Sequence, residues 1–195
     1  MSGDYLQSYR RDGYAIVRGV FDADEIEAIA AAAAAGSEHE PRLDYSRVAP
    51  EALRAMYGLE QYARNSGLEH SLLELVKLRV SQINGCAYCV DMHSKDARAA
   101  GEGEQRLYAV SVWRETPFFS ARERAGLAWA EALTLVSEGG VPDDLYSHAR
   151  EHFTEKELVD LTMATVSING WNRIAIAFRA VPGSYEPRIQ ADELA

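Results

Sequence analysis

At 195 residues and 47% hydrophobic content, the chain is long enough to form one well-buried domain with a short appendage. Its net charge of −10, with no basic block, argues against nucleic acid and anionic membranes as partners. The N-terminus lacks the apolar core of a signal peptide, and the longest small-apolar run, Ile29 to Ala35, is far short of the ~20 residues a membrane span needs, so a cytoplasmic protein is expected.

Residues 4–20 include GYAIVRGV, bounded by Gly13 and Gly19, which reads as a short strand or an extended arm. Asp22 or Asp24 can then cap a helix through EIEAIAAAAAA that stops at Gly36, so residues 1–37 form an N-terminal arm and helix. Residues 38–49 are polar and proline-bearing, a linker. From Pro50 the chain reads as an all-α domain over 50–185, closed by a polar tail over 186–195.

Pro50 suits the first position of a helix that ends near Gly67. Helices follow over Leu68 to Ile83, Cys86 to about Ala100, and Glu104 to Arg114, with Gly101, Gly103 and Pro117 as stops. Ser120 and Glu123 form a capping box that opens a run to Ser137. A short helix spans Asp143 to Phe153, and Thr154 with Glu157 forms a second capping box. The helix it starts should stop at Gly170, with a last helix through WNRIAIAFRAV and an end to order at Pro182-Gly183.

One segment echoes another. ELVKLRVSQING, from Glu74, recurs as ELVDLTMATVSING from Glu157 to Gly170 with two extra residues, and predicts a pseudo-symmetric helical bundle. Where the first copy continues into Cys86-x-x-Cys89, the second has Trp171-Asn172-Arg173-Ile174, so only one half keeps the sulfurs. Asn172 and Arg173 are assigned a structural role, at a subunit contact.

Both cysteines of the chain lie in that one motif, and His93 follows four residues later. On a helix running from Asn84, with Asn84 as N-cap, Cys86, Cys89 and His93 share a face at i, i+3 and i+7. Cys86 sits near the positive end of the helix dipole, which favours its thiolate. His93 lies one turn beyond Cys89 and can take its proton. The two effects favour different sulfurs and leave open which one attacks. A structural zinc site would need four ligands, whereas two thiolates and one histidine are local and no second CxxC exists. Glu74, flanked by Leu72, Leu73, Leu75 and Val76, is expected to be buried, with a raised pKa suited to passing protons. Tyr88, between the cysteines, could donate into the same pocket. His148 and His152, at i and i+4 on a polar helix, read as surface residues.

A glutamate, a CxxC twelve positions on and a histidine four past the second cysteine, in the wording INGCAYCVDMHSKDA, resemble the active-site pattern of the alkylhydroperoxidase D (AhpD)-like proteins of the carboxymuconolactone decarboxylase superfamily. The resemblance implies an all-helical fold with a repeated core, assembled as a homo-oligomer, a trimer or hexamer. It implies a cofactor-free and metal-free thiol peroxidase or dithiol oxidoreductase, in which Cys89 meets a small peroxide, Cys86 resolves it, and Glu74 and His93 relay protons. The reductant would be an external dithiol, a lipoyl-protein or other thiol donor, with a peroxiredoxin as a further partner. The best-known peroxidase members carry a histidine where this chain has Tyr88. The decarboxylase branch lacks the CxxC pair, which argues against lactone decarboxylation. The alternative is a non-enzymatic helical module whose dithiol acts as a redox-sensing or ligand-binding switch.

Residues 9–29, YRRDGYAIVRGVFDADEIEAI, weakly resemble the start of phytanoyl-CoA dioxygenase-like proteins. Those enzymes hold iron with an HxD or HxE pair. None of His39, His70, His93, His148 or His152 is followed two residues later by Asp or Glu, so that activity is not carried over.

Overall fold

A computed structural model describes residues 22–28 and 40–187 of the chain. Two compact units divide between His39 and Glu40. In the first, residues 23–28 are helical, and Asp22 rather than Asp24 is the cap: the Glu25 N–H donates to Asp22 Oδ1 at 2.8 Å while the Asp22 N–H donates to the Glu25 carboxylate at 2.9 Å. The arm expected over 4–20, and the rest of the helix, lie outside the described residues.

The second unit is helical throughout its regular elements. A single turn, Tyr45–Val48, lies within the stretch read as a linker and is capped by the Asp44 carboxylate. There follow α1 (Pro50–Arg64), α2 (His70–Asn84), α3 (Ala87–Ala99), α4 (Glu104–Ala109) running into a 3-10 segment (Val110–Glu115), α5 (Ala121–Thr134), a turn at Val136–Gly139, α6 (Asp143–His152) and α7 (Glu155–Phe178). Both expected capping boxes are present, at Ser120/Glu123 and Thr154/Glu157, and each satisfies the first free N–H groups of its helix. No helix among the described residues is long and apolar enough to cross a membrane.

The core is built around α2, which packs against α3, α5 and α7. Leu72, Leu73, Leu75, Val76, Leu78 and Val80 are all buried, so this helix is covered on nearly every side. Each such side chain contributes about 1.5–3 kcal/mol by leaving water. The approach of α5 to α2 is close at Gly126, where a Cβ would stand 3.0 Å from Leu72 Cδ1 and 3.4 Å from the Phe153 ring. One buried carboxylate ties three elements together: Glu131 of α5 accepts from Arg79 of α2 at 2.5 Å, from the Trp113 indole at 2.9 Å and from Arg114.

Three boundaries differ from expectation. The helix from Glu104 stops being α-helical at Ala109 and tightens into the 3-10 segment, within which Val112 (φ −124°) kinks the backbone. The Ser120 helix ends at Thr134 instead of Ser137, and Val136–Gly139 is a separate turn. The helix from Thr154 does not stop at Gly170 but runs unbroken for 24 residues. Gly170 there serves packing: a Cβ would come within 2.8 Å of Met56 Cε on α1.

The echo in the sequence has a structural counterpart. Its two copies, α2 and α7, lie against each other. Asn84 and Asn169, the equivalent residues before Gly85 and Gly170, hydrogen bond across the junction at 3.0 Å. Only the first copy breaks, because Gly85 adopts the left-handed region (φ 68°) that ends a helix, and this break creates the start of α3.

Candidate active site

The break between α2 and α3 sets the sulfurs. Gly85 closes α2, the Cys86 N–H donates to the Ser81 carbonyl at 3.0 Å, and Cys86 turns into extended backbone. Cys86, not Asn84, is therefore the N-cap of α3, and its Sγ accepts the Cys89 N–H at 3.4 Å in the place usually taken by a hydroxyl or carboxylate. Asn84 instead ends α2 and sends its side chain to α7.

Cys86 and Cys89 are free thiols, both buried, with their sulfurs 2.8 Å apart. They share a proton. The hydrogen bond from Cys89, with the backbone N–H at the start of α3, draws the Cys86 thiol down to about 7 against the resistance of burial. The same pairing, together with burial, pushes the Cys89 thiol up. Of the two thiols, Cys86 is therefore the more readily ionised.

Asn172 is fully buried on α7. Its amide hydrogen bonding lowers both thiols. The group is fixed by its neighbours: Asn84 donates to its Oδ1 at 2.8 Å and its Nδ2 donates to Ser81 Oγ at 3.1 Å. The subunit-contact role expected for Asn172 is replaced by a place at the sulfurs, because the second copy packs directly against the first. Arg173 is exposed and, among the described residues, bonds within α7, to Asn169. The thiolate absorbance in the ultraviolet should titrate with a midpoint near about 7, and Asn172→Ala should move that midpoint upward. An unchanged midpoint in the variant would remove Asn172 from the site.

Four residues after Cys89, buried His93 places Nδ1 2.8 Å from the buried Glu74 carboxylate of α2. The expectation of a raised Glu74 pKa is not met. Burial does push it upward, but the hydrogen bond with His93 and the nearby Lys77 cation outweigh burial and bring it to about 2. Glu74 therefore stays ionised. Lys77 is the hidden cation responsible for part of this. It lies 2.5 Å from Glu60 and 3.4 Å from Glu74 with its side chain only 3% exposed, and Ser167 donates to the other Glu60 oxygen at 2.8 Å. Burial works against the Lys77 charge, and the two carboxylates more than restore it.

Among the described residues, His93 has no hydrogen-bond partner for its buried Nε2. It lines a cavity of about 220 Å³ together with Cys89, Glu74 and Lys77, while Cys86 lies behind Cys89 and does not line it. Tyr88, placed between the cysteines, is half-buried in the same wall. Further wall residues come from places the sequence did not flag: Tyr45 in the stretch read as linker, Tyr57 on α1, Trp171 on α7, and Tyr185. The last corrects the expected end of order at Pro182-Gly183. The chain there folds back along α3, where Asp91 accepts the Gly183 N–H at 3.0 Å, Lys95 donates to the Tyr185 carbonyl at 2.8 Å, and the Tyr185 hydroxyl donates to Asp96 at 2.7 Å.

Among the described residues, two clusters offer donor atoms within 4.8 Å of one another: Glu74, His93 and Asp96 in the cavity, and His148, Glu151 and His152 on α6. Neither includes a cysteine, so the sulfurs are not arranged with His93 as one ligand shell. His148 is about half exposed and pairs with Glu151, in keeping with its reading as a surface residue.

The carboxymuconolactone decarboxylase family pattern matches residues 50–132. The uncharacterized protein YdfG of Bacillus subtilis is 46% identical over 136 residues, which cover 70% of this chain and 92% of the relative. A solved structure from Agrobacterium tumefaciens, described both as of unknown function and as a candidate antioxidant defence protein AhpD, is 47% identical with a TM-score of 0.71, covering 76% of this chain and 99% of that one. The alkyl hydroperoxide reductase AhpD of a Methylobacterium species is 44% identical over 46 residues, spanning 24% of this chain and 26% of the relative. Nothing in these matches supports the likeness of residues 9–29 to phytanoyl-CoA dioxygenase-like proteins, and most of that segment lies outside the described residues.

Proposed function

Because the chain belongs to the AhpD-like proteins of the carboxymuconolactone decarboxylase superfamily, we propose that it is a thiol-dependent hydroperoxide reductase in which Cys89 attacks and Cys86 resolves. The observation that carries this reading is the unequal placement of the sulfurs: Cys89 lines the same cavity as His93, and Cys86, which does not line it, has its sulfur 2.8 Å from that of Cys89.

Glu74, held ionised, holds and orients the His93 ring through Nδ1, and the other ring nitrogen, Nε2, has no hydrogen-bond partner among the described residues. His93 Nε2 takes the Cys89 proton as the sulfur attacks the terminal peroxide oxygen. The S–O bond forms, the O–O bond breaks, and the departing alkoxide recovers that proton from His93 and leaves as an alcohol. Cys89 is now a sulfenic acid. The Cys86 thiolate attacks its sulfur, the disulfide forms, and hydroxide leaves and is protonated by solvent to water. An external dithiol then reduces the disulfide by exchange, becoming a disulfide itself.

In this scheme Glu74 anchors and orients His93. A carboxyl ionised down to about 2 gives up no proton at neutral pH, so its part is electrostatic. Net charge and the absence of a basic block favour a small-molecule substrate and a protein or small dithiol as reductant.

The test is a count of turnovers. With a dithiol donor in excess, many equivalents of organic hydroperoxide should be reduced per chain. Consumption of a single equivalent, followed by arrest as the disulfide with a changed affinity for a partner, would identify a redox switch instead.

A further inference from the structure

The cavity in front of Cys89 is walled by aromatic rings that no local pattern brings together. Tyr45, Tyr57, Tyr88, Trp171 and Tyr185 come from the turn before α1, from α1, α3 and α7, and from the segment after α7. Tyr57 and Trp171 already pack against each other, with centroids 5.1 Å apart and planes inclined by 52°.

The charged groups in the lining are mostly committed to one another. Lys77 is held between Glu60 and Glu74, Glu74 also holds His93, and Asp96 accepts the Tyr185 hydroxyl. What the cavity offers a ligand is therefore ring surface, the Met92 thioether and the Nε2 of His93. Three carboxylates, those of Glu60, Glu74 and Asp96, face it against the cations Lys77 and Arg64, so a negatively charged ligand gains nothing there.

Size narrows the choice further. An apolar cavity of about 150 Å³ accepts benzene. At about 220 Å³ this one has room for a single ring and a few further atoms. Rings stack and meet edge to face, which rewards an aromatic guest over an aliphatic one of equal area.

We infer that the substrate is an uncharged hydroperoxide carried on a single aromatic ring, the ring lying among Tyr57, Tyr88 and Trp171 and the peroxide oxygens directed at Cys89. This rests on the reading of the protein as a thiol peroxidase, and the chemistry is the same reduction of hydroperoxide to alcohol at the expense of an external dithiol.

Two measurements on the whole chain separate the pocket from the reaction. In steady state with dihydrolipoamide, kcat/KM for cumene hydroperoxide should exceed that for tert-butyl hydroperoxide by at least about tenfold, and the hydroperoxide of linoleic acid should be the poorest of the three. Equal values, or the lipid hydroperoxide as best substrate, would overturn the inference while leaving the peroxidase intact. No turnover of any of the three would overturn the peroxidase, and calorimetry then decides the pocket by itself. The product-like alcohol 2-phenyl-2-propanol should bind at least about tenfold more tightly than tert-butanol. Equal binding would overturn the inference whatever the turnover shows. Tyr57→Leu, at a position 59% exposed and so tolerant of change, should lower the ratio between the two alcohols, and an unaltered ratio would count against the ring wall.

Discussion

Cys89→Ser should abolish hydroperoxide turnover, whereas Cys86→Ser should reduce one equivalent per chain and then stop. A serine hydroxyl in place of Cys89 remains protonated at neutral pH and is a poor nucleophile toward an O–O bond, so the loss should reach at least about a thousandfold, the order expected when an activated nucleophile is removed. The Cys86 variant keeps the sulfur that lines the cavity, with His93 beside it. It lacks the thiolate that closes the disulfide. Its sulfenic acid would have to await an external thiol, and single-turnover kinetics with stoichiometric peroxide separate the two variants cleanly. Equal rates for Cys89→Ser and the unaltered protein would contradict the assignment of roles.

The second large effect concerns stability. Lys77→Met should destabilise the fold by about 3–5 kcal/mol, because it removes the cation shared by the buried Glu74 carboxylate and the partly buried Glu60 carboxylate. Thermal or denaturant unfolding reads the loss. The pH dependence supplies a second signature. In the folded protein Glu74 titrates near about 2 and in the unfolded chain near its ordinary 4.5, so its contribution is fully present above 4.5 and is lost as pH falls toward 2. Without Lys77 the folded-state value should rise and the acid limb of the stability curve move to higher pH. A variant as stable as the unaltered protein, with an unmoved acid limb, would show that the ion cluster contributes nothing.

How far the sequence disclosed this arrangement depended on whether a residue's partner was near in the chain. The capping boxes at Ser120 and Thr154 are local devices, and each stands where its spacing placed it. The helices follow from amphipathic spacing and stop residues, and the CxxC with His93 is legible because all three lie on one turn-and-helix unit. Gly170 shows the limit of a local rule. A glycine after asparagine reads as a stop, as Gly85 proves to be, yet at Gly170 the glycine admits Met56 and the helix continues.

The walls of the cavity were illegible for the same reason. Tyr45, Trp171 and Tyr185 meet only once the bundle has formed, and Tyr45 sits in a stretch whose prolines and charges signal a linker. Lys77 did leave a trace. It is a cation in the largely apolar run ELVKLRV, three residues after Glu74, which is the spacing of neighbours on one helical face. The sign of the Glu74 shift could not be read without it: burial alone raises a carboxyl, and the hydrogen bond with His93 together with the Lys77 cation reverses that.

Which sulfur meets the oxidant is decisive, since Cys86 is the more readily ionised thiol while Cys89 lines the cavity. Treating the protein with one equivalent of organic hydroperoxide in the presence of dimedone, then locating the adduct by peptide mass spectrometry, reads this directly. The adduct is predicted on Cys89, most abundantly in the Cys86→Ser variant where nothing competes for the sulfenic acid. An adduct on Cys86 in the unaltered protein would contradict the account.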